Sequence, residues 1–321
     1  MKLRWVNITV CSLGGLLLAG CMRAPNSPVV METYVQKYGV VVPENDWKSR
    51  GEQGQVISHL KNGIIQTRTY DRGVLHGDVT LSFPHSDIVE KKEVYVKGEL
   101  QKAINYSIGG LPLKQVCYLP NQRREVTIWY ENGVPCSVEL FAESGDLTEA
   151  AYFDTHHEQD SQVLHGDGVR LVRDMYGQLI AREQISGGEL LMRTTYHSNG
   201  SLKEEIPFVN GVIEGVVKTY LPNGEPNTQE EWISGKQEGI TTVYQNGYKF
   251  AEVPYVQGVR CGIERRFGAG STVVEEVTWR DNLRHGATLH YVGGTCQEEW
   301  YYRGEATSKL NFDKMQGLFS S

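Results

Sequence analysis

The densest set of metal-ligating side-chain types in the chain is FDTHHEQD, residues 153–160, with Asp154, His156, His157, Glu158 and Asp160. Imidazole and carboxylate in this mixture are zinc-type ligands. Neighbouring ligands on one loop converge on an ion only with partners from elsewhere, however, and the stretch reads instead as a solvated insertion. A second candidate is the recurrence of Glu230, Glu252, Glu276 and Glu298, since paired carboxylates can do acid–base chemistry. The same group repeated along a whole sheet is expected to be a solvated face. No GxSxG elbow, GxxxxGK[ST] phosphate loop, HExxH pair or GxGxxG run is present. The sequence therefore nominates no catalytic residue, no metal site and no cofactor.

Cysteine chemistry is the remaining option. Beyond Cys11 and Cys21 stand Cys117, Cys136, Cys261 and Cys296, none at the CxxC spacing of zinc or redox sites. A net charge of −7 argues against nucleic acid, because no basic stripe exists to release phosphate counterions. Arg123-Arg124 and Arg265-Arg266 are isolated pairs and read as solvated strand ends.

The elements that must carry these residues are announced by glycine. Gly211, Gly235 and Gly258, with Asn282 in the next place, are followed four residues on by Gly215, Gly239, Gly262 and Gly286. A second series, Gly177, Gly200, Gly224, Gly247, Gly270 and Gly294, runs half a period away. A ring precedes each turn, as in Phe208, Tyr220, Trp232, Tyr244, Tyr255, Phe267, Trp279, Tyr291 and Tyr301. Upstream the frame persists in Tyr70, Tyr95, Tyr106 and Tyr130. A fixed period of this kind marks a repeat architecture. The segments between turns are too short for helices and right for strands. Asn-Gly suits the two positive-φ positions of a type I′ hairpin. The expected fold is all-β, an elongated single-layer antiparallel meander of tandem hairpins of about 23–24 residues. Rings at one distance from their turns are expected at one height, stacked in a ladder at the roughly 4.8 Å strand spacing.

The units "YVQGVRCG" and "VYQNG" resemble MORN repeats, in particular the variant repeats of bacterial surface proteins and of proteins labelled antitoxin-like. The resemblance is firm from Gly187 to Gly304, weaker from Asn62 to Gly145, and lost between Phe153 and Gly166. It implies a twisted single-layer sheet used for binding or scaffolding, and in some members for self-association. Asn282 in place of a turn glycine and "GGELLM" without its second glycine depart from the pattern. The antitoxin label does not suit an exported chain, which meets no cytoplasmic toxin.

Export is read from the first residues. Lys2 and Arg4 precede a short apolar run ending in Leu18-Ala19-Gly20-Cys21, the layout of a secretory signal and too short for a comfortable membrane span. Those four residues resemble a bacterial lipobox. The resemblance implies diacylglyceryl transfer to the Cys21 sulfur, cleavage before it, and a membrane anchor of acyl chains such as palmitate. An ordinary signal with an incidental cysteine, or a short amino-terminal anchor, is the other reading. Met22, rather than an aspartate, leans towards the outer membrane of a two-membrane cell.

The expected organisation is a signal peptide at 1–20, a lipidated Cys21 and tether at 21–54, in which 34–42 can add a capping strand or helix, and degenerate repeats at 55–150. An irregular insertion at 151–165, regular repeats at 166–305 and a tail at 306–321 follow; that tail leaves no room for a catalytic domain. Strand spacing places Cys117 and Cys136 too far apart to bridge, and Cys261 and Cys296 further, so free thiols packed as small hydrophobes are expected, with intermolecular pairing as the alternative. The functional expectation is a membrane-anchored, non-enzymatic binding or scaffold module. Its aromatic surface is represented by Tyr220, Trp232, Tyr244, Tyr255, Trp279 and Tyr291, though such rings also serve as packing. The partner is a protein, peptide or glycan. The alternative is a structural envelope component that self-associates through sheet edges or aromatic faces.

Overall fold

The computed structural model describes residues 28–317; Cys21 and the signal segment lie outside the described residues. The chain is nearly all-β, 63% strand and 7% helix, with 28 antiparallel strands in a single sheet that is not closed into a barrel. It divides into two compact units that meet at Gln178–Leu179.

In the first unit, Val29–Gln36 pairs antiparallel with Gly54–Leu60 and briefly with Val41–Val42. The helix α1, Glu44–Ser49, follows and buries Trp47 against Tyr34, ring centroids 6.0 Å apart. The stretch read as tether is thus a strand from Val29 on, with helix α1 behind it. Its alternation is weak, and its most extensive support is the pairing with Gly54–Leu60. From Gly54 each strand pairs with the next through to Asp167–Arg173. The stretch read as an irregular insertion also departs from expectation. Leu147–Phe153 and Gln159–Leu164 are strands of the same meander, and Ala150, Tyr152 and Val163 are buried. Only 154–158 is a turn.

The second unit runs from Leu179–Ser186 through Glu189–Tyr196, Leu202–Val209 and Gly215–Tyr220 to Thr295–Tyr302, closed by the short strand Glu305–Thr307. The segment beyond 305, read as a tail, carries helix α2, Lys309–Gly317. Its Phe312 packs on Trp300 at 4.9 Å and on His285 at 5.2 Å.

Two turn chemistries occur, and Asn246-Gly247, with φ of 51° and 75°, takes the two-residue type I′ form expected of Asn-Gly. Asn210-Gly211, Ser234-Gly235 and Gln257-Gly258 have positive φ at both residues, the two-residue type I′ geometry. Asp281-Asn282 does the same with φ of 51° and 65°, which asparagine tolerates, and this is why Asn282 can stand for glycine. The Asn-Gly steps at 132–133, 199–200 and 223–224 are different. Only their glycine has positive φ, and each asparagine side chain accepts the N–H two residues on, at 3.0–3.1 Å. These are Asx-supported turns rather than the type I′ turns expected of them.

Candidate binding faces of the repeat sheet

Register sorts every strand residue onto one of two faces, because residues directly opposite across a pair share a face. In the second unit one face is closed. Val277, 0% exposed, is flanked by Glu264 and Thr288 on the neighbouring strands and by Glu275 and Trp279 on its own. Val217, Thr241, Ala251 and Val253 are buried on the same face. The other face is open and carries Val216, Ile240 and Ile263, each about two-fifths exposed.

The second glycine of each repeat has a partner. Gly215 lies opposite Trp232, Gly239 opposite Tyr255, Gly262 opposite Trp279 and Gly286 opposite Tyr301. The first unit repeats the arrangement with Gly54 and Tyr70 and with Gly77 and Tyr95. A ring beside a glycine covers backbone that the glycine leaves bare, the cross-strand device known as aromatic rescue.

This overturns the expected single ladder of rings. Successive strands run in opposite directions, so rings just before a turn fall at alternate ends of the sheet. The two series also occupy different faces. Trp232, Tyr255 and Trp279 lie on the closed face; Tyr220, Tyr244 and Tyr291 lie on the open one. Rings on one face at one end are therefore two strands apart, about 9.6 Å, too far to stack.

Several of the rings instead meet a carboxylate. On the closed face the Trp232 indole N–H donates to Glu230 at 3.0 Å and that of Trp279 to Glu264 at 2.8 Å. On the open face the hydroxyl of Tyr220 donates to Glu205 at 2.9 Å and that of Tyr291 to Glu276 at 3.0 Å. In the first unit Tyr34, Tyr95 and Tyr152 donate to Glu32, Glu93 and Glu139. A buried indole or phenol needs such an acceptor, and a carboxylate makes the stronger kind of bond. Burial pushes the Tyr95 hydroxyl up to about 12, helped by the Glu93 carboxylate beside it. The same two causes raise Tyr34, Tyr152 and Tyr220.

The glutamates are accordingly not one solvated face. Glu230 belongs to the closed face, and Glu139, Glu183 and Glu264 are fully buried, 3–4% exposed. Each buried carboxylate has an arginine: Arg170 reaches Glu139 at 2.7 Å, Arg193 reaches Glu183 at 2.7 Å and Arg266 reaches Glu264 at 2.8 Å. A carboxylate can be buried only when charge and hydrogen bonds replace its water. The three others recur in one open-face row, with Arg265 lying between Glu252 and Glu276 and Leu289 between Glu276 and Glu298.

Beside that row runs an apolar one. Pro207, Val216, Glu231, Ile240, Pro254, Ile263 and Thr278 occupy neighbouring positions on successive strands, and Ala287 pairs with Trp300 at its end. Phe312 of α2 seats on that Trp300. The open face thus carries a row of aliphatic side chains interrupted by Glu231 and Thr278 and bordered by carboxylates, with the chain's own helix covering one end. Sequence reading singled out the rings and missed this stripe; its signal was the aliphatic residue after each second glycine, in Gly215-Val216, Gly239-Ile240 and Gly262-Ile263.

Of the 153–160 cluster, 154–158 form a turn and Asp160 lies on the strand Gln159–Leu164. The Asp154 carboxylate accepts the N–H groups of His156 and Glu158 at 2.9 and 2.8 Å, which holds its pKa below the usual carboxylate range. The His157 ring stacks on Phe153. Among the described residues no group of three or more His, Cys, Asp or Glu is placed to hold a metal. Cys117, Cys136, Cys261 and Cys296 are all free. Cys136 is buried, and burial pushes its thiol up; Cys296, against expectation, is exposed.

No protein-family model matches the chain, and no curated protein does. Similar solved structures include the crystal structure of TcdB2-TccC3-TEV, at 9% identity and a TM-score of 0.17. That match covers 87% of this chain and only 21% of that one. BamB from Moraxella catarrhalis, at 9% identity and a TM-score of 0.14, is covered over 82% of its length by 78% of this chain. A porin-like protein from Bacteroides uniformis gives 8% identity and a TM-score of 0.12, over 83% of this chain and 92% of that one. Likeness at this level assigns neither a family nor a function.

Proposed function

We propose that the chain is an exported lipoprotein, fastened to a bacterial membrane through Cys21, whose repeat sheet is a non-enzymatic binding and scaffold module. The observation that carries the reading is the open face of residues 179–317, where Val216, Ile240 and Ile263 stand exposed in one row. Exposed aliphatic groups aligned at two-strand intervals among carboxylates are an amphipathic surface suited to a protein or peptide. The lipobox-like Leu18-Ala19-Gly20-Cys21 supports the anchor, and the absence of catalytic motifs in the sequence supports the non-enzymatic part.

The test is affinity capture with the tagged full-length lipoprotein from detergent-solubilised membranes, comparing the wild type with Ile240→Asp/Ile263→Asp. A partner retained by the wild type is expected to be lost from the variant while its circular dichroism is unchanged. Equal retention by both proteins would remove the open face from the account.

A second reading is a structural envelope component that self-associates. It is favoured by the strand Thr295–Tyr302. Its outer side is paired only over its last three residues, by Glu305–Thr307, leaving the exposed stretch 295–299 without a strand partner among the described residues.

A further inference from the structure

We infer that the free outer edge of Thr295–Glu299 pairs antiparallel with the same edge of a second copy, about a two-fold axis through Gln297; this rests on the self-association reading and specifies its surface and register. The direction of the backbone groups follows from the flanking turns. Gly293-Gly294 is a two-residue turn, with φ of 56° and 81°, that closes the pair Val292 and Thr295. The pair flanking such a turn is hydrogen-bonded, so Thr295, Gln297 and Glu299 aim their N–H and C=O groups at the preceding strand. Cys296 and Glu298 then aim theirs outward. The turn Arg303-Gly304 gives the same phase independently, since it makes Tyr302 and Trp300 face Glu305–Thr307.

Unpaired edge groups of this kind are templates for another strand, and edges are commonly blunted by charged side chains, of which this one has Glu298 and Glu299, by proline or by a bulge. Residues 295–299 contain no lysine or proline, and their pairing with the preceding strand is without a bulge. A cavity of about 460 Å³, lined in part by Glu298, Glu299, Thr307 and Lys309, opens where the covering strand stops.

Only one self-pairing register satisfies both outward residues. An axis through Gln297 sets Cys296 opposite the neighbour's Glu298 and Glu298 opposite its Cys296, both as hydrogen-bonded pairs. Thr295 then faces Glu299, so no carboxylate meets a carboxylate. An axis through Glu298 would oppose two glutamates, which is repulsive. An axis through Cys296 would send Glu298 to a turn glycine. The pairing is confined to Thr295–Glu299, because Thr307 already occupies the place opposite Trp300 and the neighbour's turn at Gly293-Gly294 has to end beside it.

The register is tested by disulfide trapping in the full chain purified in detergent, in a Cys296→Ser background. Gln297→Cys sits on the axis at a non-hydrogen-bonded pair, with Cα atoms about 4.5 Å apart, inside disulfide reach. Thr295→Cys lies about 13 Å from its own copy. Mild oxidation is expected to give a covalent dimer with Gln297→Cys at least about tenfold faster than with Thr295→Cys, because thiol exchange requires access of one sulfur to the other. Sedimentation of the wild type should give a dimer, and Glu298→Pro, which removes an outward N–H and none from the inner ladder, should give a monomer with unchanged circular dichroism. A dimer that survives Glu298→Pro without trapping at 297 overturns this edge while leaving self-association standing on another surface. A wild type that is monomeric at all concentrations overturns both.

Discussion

Trp279 lies directly across the strand pair from Gly262, and its indole N–H reaches back to Glu264, two residues further along that same neighbouring strand, at 2.8 Å. The ring covers bare backbone while its one polar atom satisfies a carboxylate that is 4% exposed. Trp279→Phe keeps the cover and loses the bond, so it should destabilise the second unit by about 1 kcal/mol. Trp279→Ala loses both, at about 3 kcal/mol or more. Urea unfolding monitored by far-UV circular dichroism separates the two, and equal effects would deny the hydrogen bond its role.

Arg170 and Glu139 test the buried ion pairs in the first unit. Two guanidinium nitrogens meet the carboxylate, at 2.7 and 3.2 Å, and the Tyr152 hydroxyl adds a third bond at 2.9 Å. Arg170→Met leaves the carboxylate buried with one neutral donor, and should cost about 3 kcal/mol. The double variant Arg170→Met/Glu139→Met removes the stranded charge and should be less destabilised than the single one. Thermal melts of the three proteins read the order directly.

Gly168 is one of the places, with Gly54, where a methyl group has nowhere to go. It lies opposite Val163 with φ of 150°, and a Cβ there would sit 2.2 Å from the Gln162 carbonyl oxygen. Backbone cannot give way as a side-chain tip does, so Gly168→Ala is expected to lose about 2 kcal/mol or more. Gly224→Ala, with no atom within 4 Å, should lose only about 1 kcal/mol through its positive φ. Equal midpoints for the two would contradict the contact.

His285 links α2 to pH. Its Nδ1 accepts the Arg303 N–H at 3.3 Å, which leaves Nε2 as the N–H that faces the Gln316 side-chain amide. Tyr302 and Phe312 cover the ring. Burial first, then the charges of Arg280 and Arg303, hold its pKa below the ordinary value of 6.5, against the weaker pull of Asp281. The folded state therefore binds this proton less readily than the unfolded chain. Stability contributed by neutral His285 is complete above about pH 6.5 and falls as pH drops below it. Protection of the amides in 309–317, measured relative to their intrinsic exchange rates, should fall between about pH 7 and 5, and His285→Gln should flatten that dependence.

Cys21 carries the anchor prediction. Mass spectrometry of the membrane-extracted protein should show an acyl adduct that Cys21→Ala abolishes. An adduct of unchanged mass in the variant would remove the lipoprotein assignment.

The period of glycines and rings was enough to determine the strands, their lengths and their antiparallel order, because a turn every dozen residues leaves no other regular structure. It also specified which positions hold rings. Tertiary pairing decided what those rings do. Trp232 and Tyr220 look equivalent in sequence, but reversal of the chain at each hairpin puts them at opposite ends and on opposite faces. Which glutamate is buried was equally illegible: Glu264 and Glu276 differ only in the parity of their register, and parity is settled by bulges such as the one between Arg266 and Phe267. Residues 34–42 were legible as a capping element, but strand residues 29–33 and 159–164 escaped detection because partners already in the sheet stabilise them and their own pattern does not. Local composition records where a chain must turn; the face a side chain occupies depends on the neighbouring strand.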